Sequence, residues 1–369
     1  MSAIAQQART RADEAQAAVV FERVRKEWGG RAVLDELSLT IARGKLTTLL
    51  GPSGCGKTTM LRLIAGLDLA DAGRIVIGGR DVTRFGAQAR NVSMVFQSYA
   101  LFPHLSVEEN IAYGLSVARV PKRDAEARVD AALARVGLSA HGRRMPHELS
   151  GGQQQRVAVA RALVLEPDVM LFDEPLSNLD ARLRVQVREE IRELQRELNL
   201  SVVYVTHDQE EALAIADEIV VMEAGAVAQH ADPRTLVERP ANAFVASFIG
   251  NANFLNLPVL ACEAGRAHCD LLGKPLHFAW HGPRIVRARI AVRPEALALE
   301  VIDNIAPHLG LAGVIRRATW LGRSTHYTVD TTAGELTVVS HSFDRPLPEG
   351  ARVAVTLDAR GAHLLGEAP

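Results

Sequence analysis

Cysteine is scarce in this chain: Cys55, Cys262 and Cys269 are all it has. Three thiols cannot build the framework of a disulfide-stapled secreted domain, and no C-x-x-C spacing offers a zinc site. They are expected as reduced thiols of a cytoplasmic protein, Cys262 and Cys269 as ordinary buried ones. Long apolar runs are missing too. No stretch approaches the roughly 20 consecutive apolar residues that cross a bilayer as a helix, so any membrane role has to come through a partner. Met1–Ala18, rich in Ala, Gln and Arg without an apolar centre, is not expected to be a secretory signal. That segment is expected as a disordered or frayed helical extension. A dominant charge is absent: 42 Lys and Arg against 43 Asp and Glu leave a formal net charge of -1. That balance argues against broad capture of nucleic acid or anionic lipid.

What is present is enough chain, 369 residues, for one large α/β domain and a smaller second one. From Val19 to about residue 250, short apolar runs alternate with amphipathic helical stretches, the pattern of a mainly parallel sheet. Leu46–Leu50, Val169–Phe172 and Val202–Val205 read as buried strands. Leu183, Val187, Ile191, Leu194 and Leu198 recur at helical spacing. A helical subdomain is expected over about residues 98–160. After residue 250 the texture changes to alternating segments broken by Gly, Pro and Asp: Arg287–Val292, Thr325–Val329, Glu335–Val339 and Arg352–Leu357. These predict a small antiparallel β-barrel or sandwich over 251–369.

Chemistry is concentrated at strand ends. Gly51-Pro52-Ser53-Gly54-Cys55-Gly56-Lys57-Thr58, continued by Thr59, fits the phosphate-binding loop G-x-x-x-x-G-K-[ST]. Its glycines let the backbone curl so that N–H groups face phosphate oxygens, and the helix starting near Lys57 adds its positive end. Lys57 is the candidate for the β- and γ-phosphates, and the Thr58 hydroxyl for Mg²⁺. Further on, Asp173 ends an apolar run where a carboxylate serves the Mg²⁺ shell, and Glu174 follows as the candidate to orient or deprotonate the attacking water. A second Gly-rich turn, Leu149-Ser150-Gly151-Gly152-Gln153, precedes a helical pattern and offers another anion-binding nest.

That last pentapeptide, between the other two motifs, resembles the signature of the ATP-binding-cassette family. The resemblance implies a P-loop ATPase cassette over 19–250 followed by an oligonucleotide-binding-like TOBE domain. It implies that ATP lies between one subunit's phosphate loop and the Ser150–Gln153 turn of a second copy. It also implies roles for single residues. Trp28 matches the aromatic that stacks on adenine. Gln97 matches the glutamine that serves catalysis and Mg²⁺ and links to the transmembrane partner. Asp180, in Ser177-Asn178-Leu179-Asp180, belongs to the loop that crosses the dimer interface. His207 matches the switch histidine that works with Glu174.

Phe248-Ile249-Gly250-Asn251-Ala252-Asn253-Phe254 and Val292-Arg293-Pro294-Glu295 resemble the TOBE-bearing importer ATPases for maltose, polyamines, ferric iron, sulfate, molybdate and aminoethylphosphonate. The resemblance therefore implies an importer ATPase on the cytoplasmic face of the inner membrane. Its partners would be a second copy of itself and permease subunits, with a solute receptor engaged indirectly and no nucleic acid. Polyamine, 2-aminoethylphosphonate or ferric iron is the expected solute; a sugar, sulfate or molybdate importer is the alternative. Two other classes stand beside it: a soluble non-transport cassette ATPase and a nucleotide-sensing module.

Overall fold

In the computed structural model, which describes residues 17–263, 265–271, 274–302, 310–342 and 345–367, the chain opens with a hairpin. β1 (Ala17–Trp28) and β2 (Arg31–Ala42) run antiparallel and meet at Gly29 and Gly30. Both glycines have positive φ, 56° and 77°, as a two-residue turn matched to strand twist requires. Residues 1–16 of the expected extension lie outside the described residues. Ala17 and Ala18, counted with that extension, instead begin β1. Their small side chains are buried there, and the Ala18 carbonyl accepts from Gly78 N at 3.0 Å.

β3 (Leu46–Leu50) leads into helix α1 (Lys57–Ala65). Next come β4 (Ala72–Ile77) and the two-residue β5 (Arg80–Asp81), which complete an antiparallel sheet of order β2-β1-β4-β5. The expected parallel sheet lies beside it. It is formed by β3, β6 (Val92–Val95), β7 (Val169–Asp173), β8 (Val202–Val205), β9 (Glu218–Glu223) and β10 (Ala226–Ala231), in the order β10-β9-β3-β8-β7-β6. All its pairings are parallel except β10 with β9.

Alternation along these strands buries both faces. Leu49, Val169, Leu171, Val203 and Val205 join Met60, Leu61 and Ile64 of α1 in one core. Leu46, Met170, Phe172, Val202 and Tyr204 join a second core. That second core includes Ala158 and Val159 of α4 (Gly151–Leu163) and Val187 and Ile191 of α5 (Ala181–Glu197). Ahead of α4 come α2 (Val107–Val117) and α3 (Lys122–Arg135), which pack on it through Ile111, Leu115, Val129, Leu133, Val157 and Ala160. Ser106 and Glu109 form a capping box on α2, which fixes where the helical subdomain starts. The short α6 (Gln209–Ile215) is capped by Asp208.

Two compact units divide at Pro233 and Arg234. The second carries α7 (Pro233–Glu238) from Arg234 onward and α8 (Ala243–Gly250), both inside the 19–250 span expected for the cassette. Two five-stranded antiparallel sheets follow. One has the order β13-β12-β11-β14-β20, from β11 (Asn253–Glu263), β12 (Arg266–Leu271), β13 (Lys274–Ala279), β14 (Arg287–Val292) and β20 (Ala362–Glu367). The other has the order β15-β19-β16-β17-β18, from β15 (Leu297–Val301), β16 (Leu311–Trp320), β17 (Thr325–Thr331), β18 (Gly334–Ser340) and β19 (Arg352–Leu357). Their inner faces share one core that includes Leu255, Ile290, Val292, Val329, Val338 and Val353. Cys269 is buried in it, while Cys262 is half-buried at its margin; both thiols are free.

Candidate active site

Four neighbouring parallel strands, β3, β8, β7 and β6, all end at one edge of their sheet, the edge where such sheets hold ligands. From β3 runs the Gly51–Thr58 loop, from β8 Thr206 and His207, from β7 Asp173 and Glu174, and from β6 Gln97. Residues far apart in sequence are gathered by topology alone.

The loop after β3 admits no side chain at its first position. A Cβ on Gly51 would stand 2.4 Å from the Met222 carbonyl and 2.7 Å from Cys55 Sγ. Gly56 has φ 107°, and a Cβ there would stand 2.7 Å from Leu34, so the turn into α1 needs glycine for two reasons. Lys57 is buried and folds back over the loop. Its Nζ donates to the Gly51 and Pro52 carbonyls at 2.7 and 3.0 Å, and Cys55 Sγ lies 3.8 Å away. α1 starts with no side-chain cap and no acidic residue in its first turn, leaving its amide end to an anion. Pro52, Ser53, Gly54 and Thr58 are exposed and Thr59 is half-buried.

At the end of β7, Glu174 sits in the left-handed region at φ 46°, and its N–H donates to the Val205 carbonyl of β8 at 3.0 Å. Its Oε2 lies 3.0 Å from His207 Nδ1, so the two side chains expected to act together do meet. The imidazole is largely exposed. Asp173 is half-buried. Burial first, and the charge of Glu174 second, push its carboxyl above the usual range, while Arg62 pulls it partly back.

Two further candidates sit close by. Gln97 is exposed, and its carbonyl accepts from Asn178 Nδ2 at 3.0 Å. Asp180 caps α5, its Oδ1 accepting from Leu183 N at 2.9 Å. Elsewhere on the unit, Ser150 caps α4 in a full capping box with Gln153. The Gln153 side chain is thus committed to Ser150 N, at 3.0 Å. Ser150 is exposed, Gly151 half-buried and Gly152 buried. A Cβ on Gly152 would press Leu183 at 3.1 Å, so this glycine lets α4 approach α5. Trp28 ends β1, 49% exposed, with Lys26 Nζ 4.7 Å above its ring.

Three side chains behind His207 escaped the sequence reading. Tyr204 donates to Glu211 Oε1, and Thr206 Oγ1 donates to Glu211 Oε2 at 2.9 Å. Asp208 N returns to Thr206 Oγ1 at 3.0 Å, so the carboxyl braces the turn that carries His207. Burial pushes the Glu211 carboxyl up. The signal in the sequence is Asp208 three residues before Glu211, a helix-start pattern.

Comparison with known proteins agrees with this geometry. Residues 34–177 match the family described as "ABC transporter", and residues 290–365 match the "TOBE domain". A Rhizobium etli protein named "Fe(3+) ions import ATP-binding protein FbpC" is 49% identical over 347 residues, 94% of this chain and 97% of that one. A protein of the same name from Escherichia coli K12 is 45% identical over 322 residues, covering 86% and 89%. Among solved structures, cbiO1 from Clostridium perfringens, part of the ABC transporter complex cbiONQ, superposes with a TM-score of 0.56 at 29% identity. It covers 60% of this chain and 90% of that one. With a phosphate loop, an acidic strand end and a Glu–His contact at one sheet edge, and with such relatives along nearly its whole length, the chain belongs to the ABC transporter family, as the ATP-hydrolysing subunit of an importer that carries a TOBE domain.

Proposed function

We propose that this chain energises the import of ferric iron, working as a head-to-tail pair on the cytoplasmic face of the membrane beneath separate permease subunits. The observation that carries the motor reading is the 3.0 Å contact between Glu174 and His207 at the carboxyl edge shared with the phosphate loop. The solute rests on likeness to relatives named for Fe(3+) import over 94–95% of this chain. Among the described residues, no helix is long and apolar enough to cross a membrane, which suits a subunit that borrows its channel.

Each side chain then takes a role. The loop amides and Lys57 hold the terminal phosphates; Trp28 stacks on the base. Glu174 accepts a proton from the attacking water, and His207 holds Glu174 in register. Thr58, Asp173 and Gln97 would hold Mg²⁺. This is an oxygen-only donor set suited to a hard cation, and an Asp173 carboxyl held in a half-buried place beside another acid gains from a cation. When bound, Mg²⁺ neutralises negative charge on the phosphates. Ser150, Gly151 and Gly152 are offered to the ATP of the second copy, with Gln153 holding the serine and Asp180 lying at the seam. ATP thereby draws two copies together, and its cleavage releases them.

The experiment is uptake of ⁵⁵Fe(III) by proteoliposomes holding the whole importer, with putrescine and 2-aminoethylphosphonate as competing solutes. ATP-dependent accumulation of iron alone supports the proposal. Uptake of either competitor in place of iron overturns the solute and leaves the motor intact.

A further inference from the structure

The segment that carries Gln97 is held in a conformation its own residues do not favour. Tyr99 and Ala100, directly after it, both lie in the left-handed region, with φ 60° and 45°. Two consecutive non-glycine residues there are disfavoured by the clash of Cβ with the carbonyl, so the surroundings must impose the shape.

Arg161 clasps this strained pair. This residue stands in the last turn of α4, the helix that begins at the Ser150 turn. Its Nη1 donates to the Ala100 carbonyl at 2.8 Å and its Nη2 to the Tyr99 carbonyl at 3.0 Å. The guanidinium also lies 5.6 Å over the Phe102 ring. A planar fork meets two successive carbonyls of the strained pair, a match that an ammonium cannot copy. At the other end of the segment, Asn178 Nδ2 donates to the Gln97 carbonyl at 3.0 Å. The segment is thus pinned on one side by the loop before α5 and on the other by the far end of α4. The Tyr99 ring is buried in the core shared with Ala158 and Val159 of α4, which anchors the same segment from below.

We propose that Arg161 is a positioning residue that carries movement of α4 to the Gln97 segment and so sets how much transport each ATP yields. This rests on the reading of Gln97 as the link to the permease. α4 receives the second copy's nucleotide at its first turn and grips the Gln97 segment at its last. Closure around ATP therefore moves both ends of one rigid helix together.

The test uses the complete importer in proteoliposomes, reading iron uptake per ATP hydrolysed, ATP affinity and unfolding midpoint. Four variants are compared: Arg161→Lys, Ala100→Gly, the two combined, and Gln97→Ala. In Arg161→Lys, uptake per ATP is expected to fall about tenfold, the scale of losing a bidentate charge-assisted contact, while ATP affinity stays as in the parent. Ala100→Gly alone behaves like the parent. Added to Arg161→Lys it restores most of the lost coupling, because glycine adopts the left-handed shape unaided. Normal coupling in Arg161→Lys beside defective Gln97→Ala overturns this inference alone; intact coupling in Gln97→Ala overturns the reading of Gln97 on which it rests. A loss that follows the unfolding midpoint and ignores Ala100→Gly assigns Arg161 to helix packing and also overturns it.

Discussion

Glu174 Oε2 stands 3.0 Å from His207 Nδ1, across two adjacent parallel strands whose pairing is continued by the bond from Glu174 N to the Val205 carbonyl. The left-handed backbone at Glu174 turns its carboxylate out of the line of β7 towards the end of β8. Such a conformation in a residue with a side chain costs about 1–3 kcal/mol, which marks the position as one held for use.

Glu174→Gln tests that use. The amide can still accept from the imidazole but cannot take a proton from water. Turnover is expected to fall by about 10²–10⁴, the usual range for losing a general base, while ATP binding persists and closed dimer accumulates. Phosphate release and size-exclusion chromatography with ATP read both effects. Hydrolysis at the parent rate would remove Glu174 from its role.

Ser150→Arg tests whether a second copy completes the site. Ser150 is exposed at the start of α4, so arginine is tolerated by the fold, at a loss of about 1 kcal/mol for the cap. If the site is shared as proposed, bulk there blocks another subunit's nucleotide but leaves this chain's own phosphate loop untouched. Hydrolysis is expected to vanish, while calorimetric binding of ATP by the single subunit stays unchanged. If binding is lost too, the two-copy site is wrong.

The chemistry was legible wherever it is written in side chains at strand ends. The sequence-read strands Leu46–Leu50, Arg287–Val292 and Arg352–Leu357 match β3, β14 and β19 residue for residue, because each is an apolar or alternating run cut off by turn residues. The opening hairpin, absent from the sequence reading, has its mark in Gly29-Gly30 between two alternating stretches, a strong turn signal. β11 was missed because Pro258 interrupts its pattern. The Arg161 contacts could not be read at all, since their acceptors are the backbone carbonyls of Tyr99 and Ala100, which leave no mark on residue type. Nor does sequence separation hint that Asn178 reaches the carbonyl of Gln97.

Glu211 predicts a pH dependence of stability. Burial raises its carboxyl, and the charge of Asp208 adds to the rise, while the Tyr204 and Thr206 hydroxyls and Arg188 oppose it. The folded chain therefore keeps this proton to higher pH than the unfolded chain does. Its contribution is complete below the ordinary carboxylate value and is lost as pH rises through the raised one. Glu211→Gln cannot titrate, so its unfolding midpoint is expected to fall less steeply than the parent's from about pH 4.5 towards neutrality. Parallel curves for parent and variant in thermal melts would show that Glu211 ionises normally.

Trp28→Ala separates base stacking from folding. The ring is 49% exposed at the end of β1, and Lys26 covers one face from 4.7 Å, leaving the rest open to a ligand. Truncation trims a ring that is half in solvent, so the unfolding midpoint should hold. The KM for ATP is expected to rise about 2- to 10-fold, the worth of one aromatic stack, with kcat unchanged, because the base takes no part in phosphate cleavage. Trp28→Phe, which keeps a smaller ring, should fall between the two. Steady-state kinetics of the three proteins decide the matter: an unchanged KM in Trp28→Ala would mean that adenine is held elsewhere, and a fall in kcat would tie Trp28 to the chemistry instead.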